Sequence, residues 1–137
     1  MSKIFSDTNV LISAIVFDKK ELKLIIRCVD DSDNLFISEH ILEEATCIFL
    51  KKFLEYVEFF KKFIEISNIQ IIKKKVYEKR IKQFQDIRDK YDAHVIACAK
   101  AKKCDFIITG DKDILNYDLP KIKIMKPSEF IKFKKQK

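Results

Sequence analysis

Acidic residues follow two predicted β-strands, at positions suited to holding a cation. Asp7 ends the apolar stretch 3–6, and Asp111 and Asp113 follow the strongly apolar stretch 104–109. Because the carboxyl ends of parallel strands meet at one edge of a sheet, we expect these side chains to approach each other although they are far apart in sequence. The sequence therefore predicts an acidic site assembled from distant segments.

Two further acidic residues are predicted on helices, each on a face that turns toward the core. Asp92 shares a helical face with Ile96, and Glu44 shares one with Ile41, whereas Glu43 should point toward solvent. A carboxylate on an inward face is partly desolvated, which is costly unless a cation or hydrogen-bond donors compensate. These two acids are candidates for the same site.

Clustered carboxylates repel one another, so a divalent cation would stabilise their ionised forms. The cysteines form no CxxC pair and the two histidines lie far apart, which leaves oxygen ligands and favours Mg²⁺ or Mn²⁺. Phosphodiester hydrolysis fits such a site, because bound cations activate the attacking water and stabilise the leaving oxygen. No nucleophilic side chain is then required.

Each acid also has a simpler interpretation. Asp7 and Asp111 are suited to capping helices, Asp92 to interacting with a helix dipole, and Glu44 to lying exposed in solvent. What favours a site is that all of them begin helices or face inward. Gly110, the only glycine, directly precedes the last acidic pair. It is free to adopt a positive φ or to allow close approach of another group to the backbone.

The rest of the sequence predicts strands that alternate with helices, which implies a parallel sheet. The fold class is α/β, a three-layer α/β/α sandwich with a mostly parallel central sheet, in one domain over residues 1–137 whose basic end, 132–137, is expected to fray. Ser38 and Asp89 are the expected N-caps of two helices. Strands are expected over residues 3–6, 35–37, 69–72, 104–109 and 122–125, and helices over 9–17, 21–29, 39–52, 55–66, 77–84, 90–102, 111–115 and from 127 onward.

The formal net charge of +7 favours polyanionic partners. A basic stretch with two interleaved aromatic residues, Tyr77 and Phe84, suggests a wall of a nucleic-acid groove, although it also fits a solvated helix face with core aromatics. Both interpretations fit the sequence of this stretch. The candidate substrate-binding residues are Lys73, Lys74, Lys75, Arg80 and Lys112.

Targeting signals and membrane spans are not evident. No uncharged apolar run approaches the roughly 18 residues of a membrane span, and the first residues do not resemble a secretory signal. We therefore expect a cytoplasmic protein without membrane contact. The cysteines are expected to be reduced and buried as small apolar residues.

Four segments in order resemble the motifs of PIN domains, in particular the toxin components (VapC-type ribonucleases) of toxin–antitoxin systems. The segments are Phe5 to Leu11, Ser38 to Ala45, Arg88 to Ala99 and Ile108 to Leu115. The stretch Asp89-Lys90-Tyr91-Asp92 departs from the pattern, since relatives commonly have a proline there, and Lys102-Lys103-Cys104 replaces small residues.

The resemblance implies a metal-dependent endoribonuclease that cuts single-stranded or structured RNA, with Mg²⁺ or Mn²⁺ as cofactor, an antitoxin as partner and a homodimer as assembly. The alternatives are a PIN nuclease of RNA processing or quality control, a receiver-type phosphoacceptor domain and a non-catalytic RNA-binding domain. The catalytic metal ligands implied are Asp7, Glu44, Asp92 and Asp111, with Asp113 nearby either as a further ligand or as a residue that supports one. Thr8, Asn9 and Thr109 would orient the carboxylates or their waters.

Overall fold

A computed structural model describes residues 2–17, 22–25, 27, 33–84 and 90–135. The helix expected over 21–29 is helical at residues 22–25 and 27. Its other positions and the expected N-cap Asp89 lie outside the described residues. The basic end that was expected to fray from residue 132 is helical as far as Lys135, and the side chain of Lys134 is buried.

The five strands form one parallel sheet in the order β3-β2-β1-β4-β5. The sheet extends from β1 in one direction through β2 and β3 and in the other through β4 and β5. In such a sheet, ligands bind at the carboxyl ends of the strands where this direction changes, which here lies between β1 and β4. The strands are β1 (Lys3–Ser6), β2 (Asn34–Ser38), β3 (Gln70–Ile72), β4 (Phe106–Ile108) and β5 (Lys123–Met125).

This strand order excludes the receiver-type alternative. In receiver-type domains the first strand lies between the second and the third, whereas here β1 lies between β2 and β4. The expectation of a three-layer α/β/α sandwich around a parallel sheet is confirmed.

Helices cover the sheet in the order expected from the sequence, with short 3-10 turns at Leu54–Tyr56 and Lys82–Phe84. Besides the helical residues 22–25 and 27, the helices are α1 (Thr8–Val16), α2 (Glu39–Lys52), α3 (Val57–Ile66), α4 (Lys74–Ile81), α5 (Lys90–Ala101), α6 (Lys112–Leu115) and α7 (Pro127–Lys135).

Two N-termini show how local and distant residues start helices. Ser38 caps α2 as expected, accepting a hydrogen bond from the Ile41 amide at 3.0 Å. Helix α4 begins at Lys74 and not at Tyr77 as predicted, because the Glu39 carboxylate accepts a hydrogen bond from the Lys74 amide at 2.9 Å. That donor is satisfied by a residue on another helix, so no local pattern indicates it.

The core lies on both faces of β1, β2 and β4, and α5 is buried along most of its length. Ile4, Phe5, Ile37 and Ile107 are fully buried, as are the residues of α5 from Val95 to Ala99. Burial of one such large apolar side chain contributes about 1.5–3 kcal/mol. Helix α5 therefore holds whatever polar residues it carries in fixed positions.

Among the described residues no helix combines the length and apolarity needed to cross a membrane. Cys98 and Cys104 are buried, as expected, and burial raises the pKa of the Cys104 thiol to about 12. The same expectation is wrong for Cys47, which is exposed on α2. Cys28 lies outside the described residues.

Candidate metal centre

Asp7 follows β1 and is almost completely buried, with 2% of its surface exposed. Its backbone occupies the N-cap position of α1, but its side chain makes no capping hydrogen bond. The carboxylate accepts hydrogen bonds from the Tyr91 hydroxyl and, at 2.6 Å, from the Thr109 hydroxyl. The capping interpretation therefore does not account for this carboxylate.

Thr109 links the acids that follow β1 and β4. Its hydroxyl donates to Asp7 and accepts a hydrogen bond from the Asp111 amide at 3.0 Å. The Asp111 carboxylate in turn accepts from the Asp113 amide at 2.8 Å and so caps the short helix α6. Asp111 thus performs the capping role considered for it, and the hydrogen bonds fix the geometry of the acidic loop.

Three acids meet at this edge of the sheet. One carboxylate oxygen each from Asp92, Asp111 and Asp113 lie within 4.8 Å of one another. Asp92, on the first turn of α5, is buried with 3% exposure, while Asp111 is partly exposed and Asp113 is exposed. The group therefore reaches from the core to the surface and is accessible from one side. Its hard oxygen ligands fit Mg²⁺ or Mn²⁺.

Asp7 and Glu44 are not members of this group of three. Asp7 is attached to it through Thr109, as described above. Glu44 lies on α2, is about one-third exposed (36%) and has its carboxylate 3.7 Å from His40 Nε2. Glu43 is more exposed, as expected, and pairs with the Lys74 ammonium at 2.9 Å. Glu43 is thus paired with a lysine, which favours Glu44 over Glu43 as the candidate metal ligand.

Tyr91 is a functional candidate that the sequence analysis missed. Its hydroxyl donates to Asp7 and also lies 2.9 Å from the Thr8 hydroxyl. Burial and the negative charge of Asp7 raise the pKa of Tyr91 far above its ordinary value, so the hydroxyl stays protonated and donates. Its position next to Asp92 gives no local signal for this role, because only the fold brings its hydroxyl to Asp7.

The other predicted orienting residues differ in their placement. Thr8 is buried and hydrogen-bonds Tyr91, so it acts on Asp7 through the tyrosine. The side chain of Asn9 is exposed. Gly110 adopts no positive φ, and a Cβ atom there would meet nothing within 4 Å. Neither reason given for the single glycine therefore holds within the protein itself.

The basic candidates lie mostly on the surface, whereas the two aromatic residues between them are buried. Tyr77 and Phe84 belong to the core, so the groove-wall interpretation is wrong for them. Lys74 is bound to Glu43, which raises the pKa of the lysine. The exposed basic candidates are Lys73, Lys75, Arg80 and Lys112.

A cluster of aromatic rings lies beside the acids. His94, on α5, is buried and forms a 2.5 Å hydrogen bond between its Nε2 and the Ser38 hydroxyl. Burial, together with the positive charge of a protonated His40, lowers the pKa of His94 to about 4. Its imidazole is therefore neutral at physiological pH and contributes no charge to the site.

Comparison with known proteins identifies the family. The family model described as "PIN domain" matches residues 3–113. A search of curated proteins found no match to this sequence.

Among solved structures, VapBC2 from Rickettsia felis is 17% identical with a TM-score of 0.67, over 89% of this chain and 96% of that chain. VapC20 from Mycobacterium tuberculosis is 13% identical with a TM-score of 0.64, over 87% and 98%. FitAcB from Neisseria gonorrhoeae is 15% identical with a TM-score of 0.61, over 91% and 98%. The structural similarity agrees with the family match, which covers most of the chain: this protein belongs to the PIN domain family.

Proposed function

We propose that this protein is an endoribonuclease that depends on Mg²⁺ or Mn²⁺ and acts as the toxin of a toxin–antitoxin pair. The observation that carries the proposal is the convergence of Asp92, Asp111 and Asp113, with Asp7 held beside them by Thr109. Because side chains from both sides of the β1–β4 switch point contribute, the site lies where this type of sheet binds ligands.

The metal would be held by Asp92, Asp111 and Asp113, with Asp7 and Glu44 as further ligands. When bound, it would neutralise the clustered carboxylates and assist attack of water on a phosphodiester. The protein's own part is to keep the carboxylates oriented and partly shielded from solvent. Hydroxyls from Tyr91 and Thr109 fix both oxygens of Asp7, and backbone amides fix Asp111 and its loop.

Charge and fold support RNA as the substrate and a cytoplasmic toxin as the role. The net charge of +7 attracts a phosphate chain, and the exposed lysines of α4 and its N-terminus are available to contact it. VapC20, which has the same fold, is a toxin that cleaves the sarcin–ricin loop. We propose that this protein also cleaves RNA, but we do not propose the sarcin–ricin loop as its target.

Apolar side chains on the α2–α3 hairpin support a protein partner. Leu50, Leu54, Phe59 and Ile66 are all more than half exposed, and large exposed apolar groups of this kind are typical of interaction sites. We assign this surface to the antitoxin or the second subunit of a homodimer. Expression of this chain alone should arrest growth, and co-expression with an antitoxin that covers this surface should relieve the arrest.

Replacement of Asp7 tests the proposed chemistry. Asp7→Asn should reduce Mn²⁺-dependent cleavage of single-stranded RNA by at least about 100-fold, as loss of a group that fixes the transition-state charges does. Its melting temperature without metal should be unchanged or higher, because one of several repelling charges is removed. The exposed Asp118 provides the matched control, and Asp118→Asn should cleave normally. Full activity of Asp7→Asn refutes the assignment.

A further inference from the structure

A cavity of about 280 Å³ opens beside the acidic site, and aromatic rings form most of its wall. The rings belong to His40, Tyr77, Tyr91 and His94. They pack around His94, whose ring centre lies 4.8 Å from that of His40, 5.3 Å from Tyr77 and 5.4 Å from Tyr91. These rings come from α2, α4 and the first turns of α5, so three helices build the cavity.

Two of the four rings connect the cavity directly to the acids. The Tyr91 ring lines the cavity while its hydroxyl donates to Asp7. His40 lines it as well, and its Nε2 lies 3.7 Å from the Glu44 carboxylate. A group bound among the rings is therefore separated from the acidic site by a single side chain.

The wall is shaped by buried, fixed groups. Tyr77 and His94 are 2% and 4% exposed. The Tyr77 hydroxyl accepts a hydrogen bond from the His40 amide at 3.4 Å, and His94 is fixed by Ser38. Because these two rings are ordered by the fold, they fix the back of the cavity, and stacking falls to the more exposed rings of His40 and Tyr91.

The rim of the cavity is polar and carries charge of both signs. Lys74, Glu78 and the partly buried Ile81 complete the lining. Lys73 and Lys75 are exposed next to Lys74. A ligand with a flat aromatic part and a phosphate chain would place its aromatic part among the rings and its phosphates along these lysines.

We propose that this cavity is a nucleobase subsite, which holds the base of an RNA nucleotide adjacent to the cleaved bond and so determines base preference. The inference rests on the proposed ribonuclease function. Stacking of unpaired bases on aromatic side chains is the general mode of single-strand recognition. The volume of about 280 Å³, just below the roughly 300–1,000 Å³ of typical small-molecule sites, is sufficient for one base.

Variants at the exposed side of the cavity test the subsite without removing buried rings. His40→Ala removes one wall, and Ile81→Trp fills the space with a larger ring. Matched controls on the same helices are Lys51→Ala on α2 and Val76→Trp on α4, both exposed residues outside the cavity lining.

The first measurement compares cleavage of intact and abasic RNA. A random-sequence RNA pool, cut by the wild-type protein with Mn²⁺, defines the preferred base on either side of the cut. A short RNA with that sequence is then made intact and with each flanking base removed in turn. At one position, removal should lower kcat/KM about 5- to 150-fold, the range expected for one stacked base. The ratio of kcat/KM on intact RNA to kcat/KM on abasic RNA should fall toward one in His40→Ala and Ile81→Trp. Both controls should keep the wild-type ratio.

The second measurement does not involve catalysis. The chain has no tryptophan, so a 2-aminopurine placed at the identified position can be observed on binding without intrinsic tryptophan emission. With a chelator present, the fluorescence lifetime of the probe should be shortened by the wild-type protein and by Lys51→Ala, and much less by His40→Ala. These three proteins contain no tryptophan.

The outcomes separate the two proposals. Absence of any RNA cleavage by the wild type overturns the proposed function, whatever the cavity binds. Normal cleavage with equal rates on intact and abasic RNA overturns the subsite alone. That result is expected if the cavity accepts a side chain of a protein partner and not a base. The subsite is also overturned if the ratio of kcat/KM on intact RNA to that on abasic RNA is the same in the wild type and in both cavity variants.

Discussion

The two edges of the parallel sheet treat acidic residues in opposite ways. At the amino ends of the strands, Asp33 forms a buried ion pair with the Lys134 ammonium and accepts from the Ser2 amide at 2.9 Å. At the carboxyl ends, Asp7 accepts from two hydroxyls and Asp111 from a backbone amide, bonds that bring no full positive charge. The amino edge neutralises this buried acid, whereas the carboxyl edge orients several acids toward each other.

The difference indicates what each edge contributes. A buried carboxylate next to an ammonium is compensated within the protein, so the pair of Asp33 and Lys134 fixes α7 beside the amino end of β2. Neutral donors orient carboxylates without offsetting the mutual repulsion of such groups, which a bound divalent cation would relieve. We therefore expect substitutions at the amino edge to affect folding, and those at the carboxyl edge to affect metal binding and cleavage.

The largest expected effect on stability is at Asp33. Asp33→Asn leaves the buried Lys134 ammonium without its carboxylate, and breaking a buried pair in this way typically costs about 3–5 kcal/mol. Urea unfolding should show this loss of unfolding free energy. Asp118→Asn, at an exposed position, should change it by less than about 0.5 kcal/mol. A loss at Asp33 as small as at Asp118 would remove the contrast between the edges.

A somewhat smaller effect is expected when Mn²⁺ is added. At a concentration about 100 times its Kd, a ligand that binds only the folded state stabilises by about 2.7 kcal/mol. Thermal unfolding with and without Mn²⁺ should show this gain in the wild type and in Asp33→Asn, and should show little of it in Asp111→Asn. Equal gains in both variants would place the metal elsewhere than at the carboxyl edge.

Much of the fold follows from the sequence because its signals are local. Apolar strands separated by amphipathic helices predict a parallel sheet, and Ser38 begins α2 as its side chain predicts. The start of α4 was misplaced because its cap comes from Glu39 on another helix. Local patterns carry no information about a donor satisfied across such a distance.

The site was predictable to the extent that it depends on strand ends. Topology alone brings the acids after β1 and β4 together, and the inward face of α5 adds Asp92. The role of Tyr91 was not predictable, because a tyrosine in a first helical turn usually packs or faces solvent. Only the three-dimensional arrangement shows that its hydroxyl reaches Asp7 across 84 positions of sequence.

The smallest of these effects is expected from Tyr91→Phe, which separates the orienting hydroxyl from the ring. Loss of a group that orients a metal ligand typically costs about 10- to 100-fold in metal affinity or activity, so kcat/KM with Mn²⁺ should fall by that factor. The ring remains in the cavity wall, so the ratio between intact and abasic RNA should stay at its wild-type value. Isothermal titration with Mn²⁺ then distinguishes weaker metal binding from a slower bond cleavage. Unchanged activity would mean that Thr109 alone orients Asp7, and a changed base ratio would mean that the hydroxyl, and not only the ring, contacts the RNA.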